Sequence, residues 1–208
     1  AIKKKIVLIF DECTSGFRET FGGIFKKFNV EPDLVMFGKT LGNGYAITAV
    51  VGKKEVMEAA QNTFISSTFW TERIGPTAAL KTLETMEKIK SWELITNLGK
   101  KVRKGWDDLA NNNGLKIIIS GIPAISSYSF SNNNLKYKTY VTQEMLKKGF
   151  LASTDFYSCI AHKESHLDNY FDHLGGIFSI ISKCEKDQLN IDDLLEGPVC
   201  HNGFYRLN

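Results

Sequence analysis

In the stretch MFGKTLGNGY, residues 36–45, Lys39 stands among Gly38, Gly42 and Gly44 directly after a short apolar run. A lysine in such a setting can bind phosphate, bond covalently through its amine, or sit in a solvated loop. A P-loop needs a glycine five positions before Gly38, so that successive backbone amides wrap the anion. That position holds Asp33, whose carboxylate repels phosphate. A dinucleotide fingerprint fails too, because Ile47 follows Gly42-Asn43-Gly44 where the third small residue belongs. Covalent use survives: a lysine amine condenses with a carbonyl to give a Schiff base. A second reactive group lies 28 residues upstream, where the run IVLIF leads into Asp11.

These two side chains meet only if their strands are neighbours. IVLIF (residues 6–10) and LVMF (residues 34–37) are apolar without alternation, as in strands buried on both faces. More than twenty residues separate them, enough for a crossover between parallel strands. In a parallel α/β sheet, ligands collect at the carboxyl ends of the strands, which would bring Asp11 and Lys39 to one crevice. The alternative is a structural ion pair or two unrelated loop residues. Pyridoxal phosphate is the cofactor that needs both groups: an amine for its aldehyde, and an anion that keeps its ring nitrogen protonated as an electron sink.

The remaining pattern extends this α/β reading. A third apolar run, Ala46 to Val51, adds to a mainly parallel sheet. Residues 76–110 carry apolar positions at helical spacing, with a break near Ser91-Trp92 and a stop at Asn111 to Gly114. KIIIS and AISSYSF, joined by a Gly-Ile-Pro turn, predict two antiparallel strands covered on one face. Asn132 to Asn134 reads as a loop, and a helix is expected from about Thr139 to Gly149. A stripe from Leu167 through Leu174 to Ile181 predicts another, with Ser165 and Asp168 at its start. The domain boundary is placed near residue 113.

Composition sets the frame. The chain has 208 residues, 43% hydrophobic and 24% charged, with a net charge of +3. Its basic residues are dispersed apart from Lys3-Lys4-Lys5, so no nucleic-acid or membrane-surface partner is indicated. No apolar run approaches the ~20 residues of a spanning helix. Cys13, Cys159, Cys184 and Cys200 are far apart with no C-x-x-C pair, which fits free thiols and a cytoplasmic location.

The stretches D-E-C-T-S-G-F-R and E-P-D-L-V-M-F-G-K-T-L-G-N-G-Y, spaced as they are, resemble the cofactor-lysine region of class III pyridoxal-phosphate aminotransferases. Glutamate-1-semialdehyde aminomutase-like members look most similar. The likeness continues through S-S-T-F-W-T-E-R-I-G-P-T-A-A-L and, more weakly, through G-F-L-A-S-T. It implies an α/β protein of fold type I (aspartate-aminotransferase-like). Residues 1–113 would be the C-terminal part of the large cofactor-binding domain with its linking helix, and residues 114–208 the small α/β domain.

Residue by residue, the resemblance implies that Asp11 partners the pyridine nitrogen and that Lys39 forms the internal aldimine. Cys13 packs on a ring face where the family often has Val. Thr68 reaches the cofactor phosphate of a partner subunit, since family members are typically homodimers. Gly42 and Gly44 let the backbone pass close to the cofactor. The implied reaction moves an amino group from a donor to a carbonyl acceptor, whether semialdehyde, keto-sugar or keto acid. Lys39 would serve as general base and acid. An aminomutase would make the same transfer within one molecule.

The resemblance spans about half of a typical family member. The turn that cradles the phosphate and the aromatic ring on the opposite cofactor face have no counterpart here. A C-terminal half that needs a missing N-terminal half is therefore expected, from a truncated reading frame or a split gene. A non-catalytic remnant, or a subunit that pairs with a separate N-terminal half, stands as the alternative. Weaker signals take simpler readings. His162 and His166 lie at metal-ligand spacing but lack the glutamate of H-E-x-x-H and a third ligand, so no metal is expected. Arg18 reads as structural, Glu72 and Arg73 as a surface ion pair, and Lys100 to Lys104 and Lys147-Lys148 as solvated helix faces.

Overall fold

The computed structural model describes residues 1–69 and 71–203. Trp70, within the S-S-T-F-W-T-E-R stretch, and the terminal F-Y-R-L-N lie outside the described residues. The chain divides into two compact units, Ala1–Thr96 and Asn97–Asn208.

In the first unit β1 (Ile9–Asp11), β2 (Leu34–Phe37) and β3 (Ala49–Gly52) form one sheet in that order. β1 and β2 run parallel, with Asp11 opposite Met36. β2 and β3 run antiparallel, so the sheet is mixed rather than mainly parallel. The reason is the connection: the short segment between Phe37 and Ala49 holds one 3-10 turn, Lys39–Leu41, and no helix long enough for a parallel crossover. Asp33 ties the three strands together. Its carboxylate accepts the Leu8 N–H at 2.8 Å and the Lys53 amine at 2.9 Å, and its carbonyl accepts the Lys53 N–H.

The expectation of doubly buried strands fails for the first run. Ile6, Val7 and Ile9 are 62, 47 and 51% exposed. β1 is an edge strand pairing only with β2 among the described residues, so its apolar side chains lack a second layer. A short helix α1 (Lys54–Met57) follows β3, and α2 (Ile74–Ile89) ends at Lys90 in the left-handed conformation. α3 (Ser91–Asn113) begins at the next residue, one position from the break read in the sequence. The sequence boundary near 113 coincides with the end of α3; the compact units divide within it. The buried cluster of this unit is small: Phe17, Leu41, Ala79 and Met86, with Phe21, Phe37 and Ile47 against it.

The second unit has the larger core. β4 (Ile117–Ile122), β5 (Ile125–Phe130) and β6 (Asp155–Tyr157) form an antiparallel sheet. α4 (Asn134–Lys147) and α5 (Glu164–Glu185) pack on it. Ser126, Tyr128 and Phe130 alternate inward along β5, as its pattern predicts. α4 starts five residues before the expected Thr139, because Asn134 Oδ1 accepts the Phe130 N–H at 2.9 Å and turns the chain. α5 starts after Lys163, not at Ser165: His166 Nδ1 folds back onto the Lys163 N–H. His162 Nδ1 likewise accepts the Cys159 N–H, so both imidazoles serve local backbone.

Val102, Trp106 and Ala110, at four-residue spacing on α3, are fully buried against Leu174, Phe178 and Ile181 of α5. Trp106 Nε1 donates to the Tyr170 hydroxyl at 2.9 Å. Trp106→Ala is therefore expected to cost about 3–5 kcal/mol of stability, read as a lower denaturant midpoint. Tyr170→Phe, which removes only the hydrogen-bond acceptor, costs about 1 kcal/mol.

Candidate functional site

The site lies at the carboxyl ends of β1 and β2. Asp11 is the last residue of β1, and β2 leads through Gly38 into the 3-10 turn that opens with Lys39. The parallel pairing thus places the two sequence-predicted groups at neighbouring strand ends. Both side chains are exposed.

The turn after β1 is built around a buried carboxylate. Glu12 is 2% exposed; its Oε2 accepts the Ser15 hydroxyl at 2.6 Å and its Oε1 the Phe25 N–H at 3.1 Å. Gly16 closes the turn through its N–H on the Glu12 carbonyl at 2.8 Å. A Cβ at Gly16 would lie 2.7 Å from both that carbonyl and the Phe37 ring. Phe17, at φ 62°, drops its ring onto Phe37 and shares the small core with Leu41. The Asp11 turn and the Lys39 turn are therefore anchored in one cluster.

Asp11 accepts the Cys13 N–H at 3.0 Å. That hydrogen bond, the Cys13 thiol and the positive charge of Lys39 hold its carboxyl below the usual carboxylate range. Asp11 thus keeps its charge through neutral pH. Cys13 responds in the opposite sense: its hydrogen bond to Asp11 pushes the thiol up, so it stays neutral. Its sulfur lies against Gly38, 3.4 Å from where a Cβ would stand.

Lys39 adopts φ 40°, a left-handed conformation uncommon outside glycine. Its amine donates to the Thr14 hydroxyl at 2.5 Å. Gly42 is required by the fold itself, since a Cβ there would lie 2.1 Å from the Tyr45 carbonyl. Gly44 takes φ 102°. Beyond this turn lies a cleft of about 530 Å³, lined by Gly42, Asn43, Tyr45, Arg73, Thr77 and Lys81.

Thr68 is not part of this cluster; it lies in the exposed segment 61–69. The surface ion pair expected of Glu72 and Arg73 is replaced by capping. Glu72 accepts the Ile74 and Gly75 N–H groups at the start of α2, while Arg73 faces the cleft. The sequence reading gave no role to Glu12 or Thr14. Glu12 had one signal, a second acid next to Asp11 at the end of an apolar strand run.

The chain matches the family model described as Aminotransferase class-III over residues 1–157. Among curated relatives, the 3-aminobutyryl-CoA aminotransferase of Cloacimonas acidaminovorans is 36% identical over 168 residues, covering 77% of this chain and 41% of that protein. The glutamate-1-semialdehyde 2,1-aminomutase of Nitrosopumilus maritimus is 28% identical over 183 residues, covering 80% and 43%. Among solved structures, the PLP internal aldimine form of the FumI protein from Sphingopyxis sp. superposes with a TM-score of 0.83 at 21% identity, covering 93% of this chain and 48% of that one. An omega-transaminase from Sphaerobacter thermophilus gives 0.76 at 20% identity, covering 85% and 45%. The chain thus has the fold of these structures, fold type I. It spans about two fifths of the length of the curated relatives it matches.

Proposed function

We propose that this chain, which belongs to the class III aminotransferase family, carries the covalent and electrostatic half of a pyridoxal-phosphate site that moves an amino group from a donor to a carbonyl acceptor. The observation that carries the reading is the meeting of Asp11 and Lys39 at the ends of two parallel strands, with Asp11 held ionised. The residues fit the cofactor: an exposed amine, a permanent carboxylate, and a neutral thiol beside Gly38 for a ring to rest on.

Bound here, pyridoxal phosphate would supply an aldehyde and an electron-withdrawing ring. Lys39 Nζ would hold it covalently and, when free, would accept a proton from the donor's α-carbon and return it. The Asp11 carboxylate would keep a proton on the ring nitrogen. Thr68 serves the phosphate in the site of a second copy. Its flanking Phe64, Ile65 and Phe69 are 95, 58 and 71% exposed, as on a surface that meets another subunit. Residues 1–113 belong to the large domain and 114–208 to the small one. The rest of the large domain, carrying the phosphate cradle, covers the exposed face of β1. No helix among the described residues is long and apolar enough to cross a membrane. The free, widely spaced cysteines support a cytoplasmic location.

The test is amino transfer from a ¹⁵N-labelled donor by the assembled protein, meaning this chain with the portion that completes its large domain. Label appearing on a separate carbonyl acceptor supports the aminotransferase. Label moving only between two carbons of one molecule identifies the aminomutase, the second reading favoured by the 28% identical relative. No cofactor absorption band and no transfer would leave a non-catalytic chain.

A further inference from the structure

We propose that Thr14 is a positioning residue for the Lys39 amine, receiving it whenever Nζ is not covalently engaged and aiming it for proton transfer. The second part rests on the reading of Lys39 given above. A lysine side chain at a crevice rim would otherwise sample many rotamers. Here the amine is held 2.5 Å from the Thr14 hydroxyl, 25 residues away in sequence.

Thr14 is itself fixed from several sides. Its carbonyl accepts Arg18 Nε at 3.0 Å. The preceding Cys13 is tied to Asp11, and the following Ser15 to the buried Glu12. The Lys39 backbone is equally constrained: Gly38 is packed between Cys13 and Thr48, and the Asn43 N–H bonds the Lys39 carbonyl at 3.0 Å. Two rigid turns thus hold donor and acceptor at hydrogen-bond distance. An ammonium on a hydroxyl is a charge-assisted contact, strong enough to bias a flexible chain even near solvent. Preorganisation of this kind would present the amine from one position without a rotamer search.

The first arm of the test uses the chain alone. Competitive acetylation at one fixed pH, read by peptide mass, should label Lys39 about three- to tenfold faster in Thr14→Val than in wild type. Thr14→Ser should match wild type. Lys53, bound to Asp33, serves as the internal control for an intact fold. Unchanged Lys39 labelling with Lys53 still protected overturns the contact. If Thr14→Val does not fold, the wild-type ¹⁵N-lysine spectrum decides: a Lys39 ammonium signal exchanging with solvent as fast as that of Lys3 overturns it, and a slowed one supports it.

The second arm uses the assembled protein and an α-deuterated donor. Thr14→Val should raise the primary isotope effect, because proton transfer becomes more rate-limiting, and Thr14→Ser should restore it. An unchanged isotope effect overturns the positioning role. A cofactor that bonds no Lys39 in wild type overturns instead the reading of Lys39, while the first arm still decides the contact.

Discussion

Lys39→Ala is expected to abolish covalent capture of pyridoxal phosphate by the assembled protein and to lower amino transfer by at least about 10³-fold, since one side chain supplies both the covalent hold and the proton relay. Added small amines should restore part of the rate, as they replace the lost base. The backbone at Lys39 makes this a sharper test than most. At φ 40° a side chain with a Cβ is strained, and glycine is not. Lys39→Gly should therefore raise stability by about 1 kcal/mol while losing the same activity. A residue kept in an unfavourable conformation against stability has another reason to be there. A Lys39→Gly protein that is less stable than wild type would show that the lysine instead supports the fold.

Asp11→Asn should have the next largest effect. The amide oxygen can still accept the Cys13 N–H, so the turn after β1 should persist and cofactor should still bond to Lys39. What disappears is the negative charge that keeps a proton on the ring nitrogen, and with it the stabilisation of charge at the substrate's α-carbon. The expected loss is about 10²–10³ in kcat, with a smaller change in KM. In wild type the Cys13 N–H, the thiol and Lys39 hold the Asp11 carboxyl below the ordinary carboxylate range. A lowered carboxyl stays charged until the pH falls below the ordinary range. Asp11 should thus add no acid limb to the activity profile above about pH 5, and Asp11→Asn should lower the plateau without moving its limbs.

The part of this site visible in the sequence was its end-of-strand logic. Two apolar runs each led into one reactive residue, and the parallel pairing of β1 and β2 aligns them. β3 runs against the direction its apolar pattern suggests, because the short Phe37-to-Ala49 connection leaves no room for a crossover helix. The burial of β1 was overestimated because apolar runs report the environment a strand is made for, whereas exposure depends on what covers it. α4 begins earlier than its pattern suggests, because three consecutive asparagines look like a loop while Asn134 opens the helix by binding Phe130.

The contacts that organise the site were the least visible. Glu12 acts on Phe25, and Thr14 meets Lys39 across 25 residues; neither pairing has a local period or a fixed spacing to betray it. The long stripes of α3 and α5 were clear for the opposite reason, since each residue's role there repeats every three or four positions.

The most direct test of the account is to load the assembled protein with pyridoxal phosphate, make any covalent bond permanent by hydride reduction, and map the modified peptide. The account predicts one pyridoxyl adduct, on the Lys39 side chain, absent in Lys39→Ala. An adduct on another lysine, or none in protein that has been shown to be folded and assembled, would contradict it.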